Sequence, residues 1–437
     1  MKKITFVGTG YVGLVGGAGI SEFGHQVTCA DIDQNKIERL KAGEIPIYEP
    51  GLESLVKQNV AKGRLHFSHD VPKSIQNADI IFVAVGTPQG SNGEANLSAI
   101  ESVAKTIGEN LNGYKIICTK STVPIGTGKR IEEIIRSMNP NGDFDYVSNP
   151  EFLREGAAVK DFLHPDRVVI GTRTQKAIKV MGEVYRPLYI NETPIISTTV
   201  ETAEMIKYAA NAFLSLKISY INEIANLCEA VGADVQDVAR AMGLDGRISA
   251  KFLHPGPGYG GSCFPKDTHA LAATGQKNRS PLLTVEAAIK TNASQKVRMV
   301  DKLKRIMGGS FKGKTVAVLG LAFKPQTDDV REAASIVIVS NLAESGATVQ
   351  AYDPIAMDNF KNHFPNIQYF DSWQDAVKNA DACILLTEWN EFRGMDLNKL
   401  KDLMKTPVLL DTKNIISIQE LESRGFTYDN IGRKSPS

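Results

Sequence analysis

Twice in this chain a short apolar run ends in glycine and is followed, one helix later, by a second strand that ends in aspartate. Ile4 to Val7 leads into Gly8-Thr9-Gly10-Tyr11-Val12-Gly13, then a helix of small residues, then Gln26-Val27-Thr28-Cys29-Ala30-Asp31. The pattern returns where Thr315 to Leu319 meets Gly320 and Val349-Gln350-Ala351-Tyr352 reaches Asp353. Ile80 to Val85, Lys115 to Cys118, Tyr146 to Ser148 and Val168 to Ile170 continue the first unit as buried strands. Cys383 to Leu386 and Val408 to Leu410 continue the second. Strands alternating with helical segments in this way predict α/β architecture with doubly wound parallel sheets, here as two Rossmann-like lobes.

Between the lobes, Glu201 to Val231 contains neither Pro nor Gly. Met205, Ile206, Ala209, Phe213, Leu216, Tyr220 and Ile224 trace an apolar stripe along it at spacings of three and four. This reads as one long central helix, suited to a spine and to a homodimer contact, followed by helical segments near Val235 to Met242 and Leu282 to Met307. The expected division is a nucleotide-binding domain over 1–200, a helical dimerisation domain carrying a cysteine loop over 201–310, and a second Rossmann-like domain over 311–437. The length of 437 residues accommodates about three domains. The polar tail after Arg433 reads as loose. Lys and Arg number 50 against 49 Asp and Glu, so no global field favours nucleic acid or an acidic membrane face. No apolar run is long enough to span a bilayer, and the N-terminus leads into a strand, so the expected setting is cytoplasmic. Five scattered cysteines without CxxC spacing argue against a disulfide framework and a zinc site, and no metal is expected.

Gly8, Gly10 and Gly13 form GxGxxG between a strand and a helix, with Asp31 lying 23 residues beyond Gly8. Such glycines let backbone N–H groups approach a pyrophosphate at the helix N-terminus, while Asp31 can accept from both ribose hydroxyls. The alternative is a glycine turn kept only for helix–strand packing. Asp31 would repel a 2′-phosphate, which favours NAD over NADP, although Lys36 nearby could offset that repulsion. In Gly260-Gly261-Ser262-Cys263-Phe264-Pro265-Lys266-Asp267 a cysteine stands where a helix should begin. The positive helix end would stabilise a thiolate, and flexible glycines would admit a substrate. Taken alone, a single cysteine is more often a small buried hydrophobe.

These motifs, with Lys120-Ser121-Thr122-Val123-Pro124, Asn149-Pro150-Glu151-Phe152-Leu153-Arg154-Glu155, Lys207 and Asn211 on the long helix, Leu321-Ala322-Phe323-Lys324 and Arg331, occur in one order over nearly the whole chain. In this the chain resembles the nucleotide-sugar 6-dehydrogenases, and most of all the bacterial UDP-glucose 6-dehydrogenases. The resemblance implies oxidation of a sugar C6 alcohol to a carboxylate with two NAD molecules in turn, without release of the aldehyde. The substrate implied is UDP-glucose. UDP-N-acetylhexosamine and GDP-mannose dehydrogenases would share the chemistry, and a catalytically idle NAD-binding regulator is the alternative from another class. The residue chemistry fits: an aldehyde has no good second hydride to give until a nucleophile adds, and a Cys263 thiolate can add, giving a thiohemiacetal and then a thioester.

Lys207 and Asn211 lie one helical turn apart and suit an oxyanion at C6. The resemblance further implies that Thr122 holds a water near the reacting carbon, that Glu151 acts with that water or as general base, and that Asp267 orients the hydrolytic water. For the cofactor it implies contacts from Gly8, Gly10, Tyr11, Val12, Gly13, Asp31, Lys36, Thr87, Ser121, Thr122, Glu155, Lys266 and Arg331. For the sugar nucleotide it implies Glu151, Phe152, Leu153, Arg154, Glu155, Lys207 and Asn211. The second half adds Phe252, Leu253, His254, Gly256, Gly260, Phe323, Lys324 and Lys413, with Arg247 reaching a partner subunit's UDP. Two departures stand out. His254 replaces the usual Lys, and Asp411-Thr412-Lys413-Asn414 replaces the common Asp-Gly-Arg-Asn, so Lys413 keeps the charge but loses the bidentate fork.

Overall fold

The structure, a computed structural model, describes residues 1–90 and 93–433, so the expected polar tail lies outside the described residues. Eight strands form the first sheet: β1 (Lys3–Val7), β2 (Gln26–Ala30), β3 (Leu65–Ser68), β4 (Ile80–Val83), β5 (Lys115–Thr119), β6 (Phe144–Ser148), β7 (Val168–Thr172) and β8 (Ile195–Thr198). Their order is β3-β2-β1-β4-β5-β6-β7-β8. Six strands form the second sheet: β9 (Thr315–Leu319), β10 (Thr348–Tyr352), β11 (Gln368–Tyr369), β12 (Ala382–Leu385), β13 (Val408–Asp411) and β14 (Thr427–Asn430). Their order, β11-β10-β9-β12-β13-β14, is parallel throughout and is the doubly wound dinucleotide-fold order. The two Rossmann-like lobes expected from the sequence are present.

Alternation along the strands supplies both faces of each sheet. On β1, Ile4 and Phe6 enter one buried cluster, where Phe6 stacks on Phe82, while Val7 enters the cluster on the opposite face. Both faces are therefore covered by helices, and the strands read as near-continuous apolar runs. The first sheet departs from the all-parallel expectation at one place: β7 runs antiparallel to β6, with Val147 opposite Thr172. The connection between them holds only the six-residue helix Ala158–Leu163, about 9 Å long. β7 enters the sheet at the end where β6 leaves it.

Two compact units divide the chain. One comprises Met1–Ala210 with Ala273–Arg279, the other Asn211–Ala272 with the chain from Ser280 on. The helix Val200–Val231, 32 residues long, begins in the first unit and continues in the second. Its length follows from the absence of Gly and Pro, and its first turn opens with the Thr202 N–H donating to Thr199 Oγ1 at 3.2 Å. Among the described residues, no helix is long and apolar enough to cross a membrane.

Candidate active site

In the first unit the ends of β1, β5 and β6 lead into the three segments that carry its candidate residues. Gly8 has φ +101°, and its N–H donates to Ala30 O at 2.8 Å. A Cβ on Gly8 would lie 2.8 Å from Ala84 O, and one on Gly13 only 1.9 Å from Gly8 O, so both glycines are required by the turn itself. Gly10 is different. A Cβ there meets no atom within 4 Å, and the helix Tyr11–Glu22 that it precedes has no side-chain cap, which leaves its first N–H groups for a ligand. The packing explanation for the motif thus accounts for Gly8 and Gly13 but not for Gly10, and the turn fits a pyrophosphate.

Asp31 is fixed rather than loose. Its Oδ2 accepts from Thr9 N at 2.8 Å and Thr9 Oγ1 at 2.7 Å, its Oδ1 accepts from Asp33 N at 3.1 Å, and Lys36 Nζ lies 3.5 Å away. Burial works against its ionisation, yet these hydrogen bonds and the lysine charge hold it below the ordinary aspartate value. It is therefore held as a carboxylate. Tyr11 donates its hydroxyl to buried Glu49, whose oxygens also accept from the N–H groups of Gly156 and Ala158, both at 2.7 Å. Burial first and the Glu49 carboxylate second push the Tyr11 phenol upward. Glu49 is a residue that sequence reasoning missed. It ties the glycine-turn helix to the segment that carries Glu151 and Glu155.

Thr122 is buried, and its carbonyl accepts from Thr87 Oγ1 at 2.8 Å, while Ser121 Oγ donates to Val85 O at 2.6 Å. Glu151 and Lys207, both buried, form an ion pair at 3.0 Å, and the Leu153 N–H also donates to Glu151. Burial opposes the charge on Glu151, but Lys207, Leu153 and Lys120 prevail and its carboxyl lies below the ordinary range. Phe152 presents its ring to Lys207 Nζ at 5.4 Å and to the Arg167 guanidinium at 3.5 Å. Arg154 gives its fork to Asp161 at 2.5 and 2.9 Å.

In the second unit the helix Phe264–Lys277 starts directly after Cys263, whose carbonyl accepts the Asp267 N–H at 2.9 Å. Four of the five cysteines are buried, and Cys263 is half-buried. Burial pushes the Cys29 thiol up to about 12 and raises Cys118, Cys228 and Cys383 as well, so those four are packing groups. Ser262 Oγ lies 3.5 Å from Cys263 Sγ. Fully buried Asp267 accepts from Asn211 Nδ2 at 2.6 Å and is paired with Lys266. Lys207 and Asn211 share one helix, but each engages its own carboxylate, Glu151 and Asp267.

The loop before the cysteine is built by close backbone approach. Gly261 has φ +83°, its N–H donates to Arg331 O at 2.8 Å, and a Cβ would strike the Phe323 ring at 2.8 Å. A Cβ on Gly260 would lie 2.5 Å from Glu332 O. Asn292, a second residue that no motif flagged, accepts from Tyr259 N at 2.7 Å and donates to Tyr259 O at 3.1 Å, clamping the same loop. Phe252 takes φ +66°, Leu253 is buried and His254 is exposed. Gly256 O accepts from Gln295 Nε2 at 3.0 Å, and a Cβ on this glycine would lie 3.7 Å from Lys413 Nζ. Lys413 itself pairs with Glu388 at 2.8 Å. Lys324 Nζ lies 5.3 Å from the Phe323 ring. Arg247 and Arg331 each hold the aspartate two residues before them, Asp245 and Asp329.

Three sequence models of one family match in succession. The NAD binding domain of the UDP-glucose/GDP-mannose dehydrogenase family covers residues 2–189, its central domain 201–294 and its UDP binding domain 317–418. Across 434 residues the chain is 52% identical to a UDP-glucose 6-dehydrogenase of Rhizobium meliloti (strain 1021), with 99% of each chain covered. Across 435 residues it is 51% identical to one of Bacillus subtilis (strain 168), covering 99% of this chain and 94% of the relative. Among solved structures it is similar to a UDP-glucose dehydrogenase of Pyrobaculum islandicum, with TM-score 0.91 and 35% identity over 96% of each chain. It is also similar to a UDP-D-ManNAc dehydrogenase of Pyrococcus horikoshii, with TM-score 0.87 and 25% identity over 99% of this chain and 100% of that one. The glycine turn and Asp31 lie inside the NAD binding domain, and NAD is the cofactor. The chain belongs to the UDP-glucose/GDP-mannose dehydrogenase family.

Proposed function

We propose that the chain is a cytoplasmic UDP-glucose 6-dehydrogenase that converts the C6 alcohol of UDP-glucose to a carboxylate through a thioester on Cys263. The observation that carries this reading is the contrast among the cysteines: Cys263 alone is half-buried, and it stands at the start of a helix beside Asp267. The choice of UDP-glucose over acetylated sugars is supported by relatives of that name at 52% and 51% identity, against 25% for the UDP-D-ManNAc dehydrogenase.

NAD, held by the glycine turn and Asp31, supplies the hydride acceptor when bound. Glu151, ionised beside Lys207, takes the proton of the C6 hydroxyl directly or through a water held by Thr122. Cys263 Sγ then adds to the aldehyde carbon, forming a C–S bond and the tetrahedral carbon from which a second hydride can leave. Lys207 and Asn211 donate to the oxygen that bears negative charge at each stage. Loss of the second hydride leaves the thioester. Water, oriented by Asp267, cleaves its C–S bond, giving the carboxylate and returning the thiol. We further infer a homodimer across the helix Val200–Val231, where Phe213, Tyr220 and Leu227 recur every seven residues on an exposed face. Purified protein with NAD and a panel of nucleotide sugars tests the reading: two NADH per UDP-glucose is expected, and one NADH per sugar or preference for another sugar overturns it.

A further inference from the structure

Lys120 follows β5 and is 6% exposed. Its ammonium donates to Asn149 Oδ1 at 3.1 Å and Tyr185 Oη at 3.4 Å, and it lies 5.8 to 5.9 Å from the centres of the Tyr185 and Phe162 rings. Asn149 is itself immobilised: Tyr185 donates to its Oδ1 at 2.6 Å, its Nδ2 donates to Val169 O at 2.7 Å, and its N–H donates to Thr119 O at 2.9 Å. Two residues further on stands Glu151. The hydrogen-bond acceptors named for this buried ammonium are thus neutral, an arrangement that costs stability and that an apolar side chain of the same shape would avoid. The ammonium interacts electrostatically with the buried Glu151–Lys207 pair. Glu151 attracts it, Lys207 repels it, and Cys118 lies two residues before it on β5.

We propose that Lys120 is a positioning residue whose positive charge, held beside Asn149, keeps the Glu151 carboxylate ionised and aligned with Lys207. Burial lowers Lys120 to about 8, the Glu151 charge opposes that fall, and Lys207 adds to it. Glu151 in turn is held down by Lys207, the Leu153 N–H and Lys120 against the burial that would raise it. Two lysines act on one carboxylate, to which Arg167 beside Phe152 is also coupled, so the proton balance depends on Lys120 as well as on the ion pair.

The proposal rests on Glu151 being a catalytic group, and the experiment separates the two. kcat/KM for UDP-glucose with saturating NAD is measured from pH 5 to 10 for the full-length wild type, Lys120→Met, Tyr185→Phe and Glu151→Gln. Lys120→Met is expected to shift the acid limb upward by about one pH unit, the low end of the effect of one nearby opposite charge. Tyr185→Phe, which deletes a hydroxyl but no charge, is expected to leave the limb in place. Where Lys120→Met does not fold, Lys120→Gln, which keeps a donor for Asn149, carries the same expectation. An acid limb unmoved in a folded, neutral Lys120 variant, or moved equally by Tyr185→Phe, overturns the proposal and leaves Lys120 a packing group. Glu151→Gln with wild-type activity overturns the catalytic reading of Glu151 itself.

Discussion

The glycine turn can be divided into the part the fold needs and the part the cofactor needs. In Gly13→Ala the new methyl group would lie 1.9 Å from Gly8 O, against a normal carbon contact of about 3.5 Å. Gly8 is held in place, because its N–H is bound to Ala30 O. Overpacking of this kind costs about 1–3 kcal/mol, against a helix-propensity gain of about 1 kcal/mol for replacing an interior glycine. In Gly10→Ala no protein atom lies within 4 Å of the new methyl group, and φ is −73°, a value any residue adopts. The apo fold should lose no more than about 0.5 kcal/mol. A pyrophosphate approaching the same N–H groups meets the methyl group, so NAD affinity should fall at least about tenfold, or about 1.4 kcal/mol. Urea unfolding of the apo protein and calorimetric NAD titration read the two quantities separately. Gly10→Ala should lose affinity and keep its midpoint, whereas Gly13→Ala should lose both. Undiminished NAD affinity in Gly10→Ala would refute the assignment of that open face to the cofactor.

Glu204 accepts from the N–H groups of Gly126 and Gly128 at 2.7 and 2.8 Å, yet burial raises it from 4.5 to about 7. Between those values the folded chain holds a proton that the unfolded chain has lost. Stability therefore falls as pH rises through the window, by about 3 kcal/mol at most. Glu204→Gln should flatten that slope in urea midpoints measured from pH 4.5 to 8, and an unchanged slope sinks the assignment. Phe213→Asp should convert a dimer to a monomer in light scattering, while a wild type that is monomeric at micromolar concentration refutes the exposed-face argument. Cys263→Ala should bind NAD and UDP-glucose while overall turnover falls by orders of magnitude. Full turnover in that variant removes the thiol from the mechanism.

What could be read from the sequence follows what is apolar. The inner strands carry apolar runs and were legible. The strands that escaped sequence reading, β3, β8, β11 and β14, are the four edge strands of the two sheets. Edges are short and carry polar residues such as His66, Ser197, Gln368 and Asp429, so the apolar signal is diluted there. Motif residues were legible for the same local reason: Gly13 and Asp31 act through neighbours close in sequence or at a fixed spacing. Lys120, Glu49 and Asn292 act through partners 29 to 109 residues away, and no local pattern announces such pairs.

The two Rossmann-like lobes show why the strand that ends in aspartate was the weaker half of the signal. Asp31 and Asp353 end equivalent strands, yet Asp353 is fully buried and accepts five hydrogen bonds. They come from the N–H groups of Leu321, Ala322, Ile355 and Ala356 and from Trp389 Nε1. A carboxylate offers about four lone-pair sites, so none remains for a ribose. The glycine spacing tells the lobes apart. Ala322 and Pro325 stand where the first lobe has Gly10 and Gly13. The helix after Gly320 does not begin until Ala334, whereas the helix after Gly8 begins at Tyr11. The N–H groups that would cradle a pyrophosphate are therefore displaced from the turn. The intervening segment is used otherwise: Phe323, Arg331 and Glu332 close against Gly260 and Gly261 and so hold the loop that ends in Cys263. Within this second unit, the segment between Gly320 and Ala334 serves as the support of the cysteine loop.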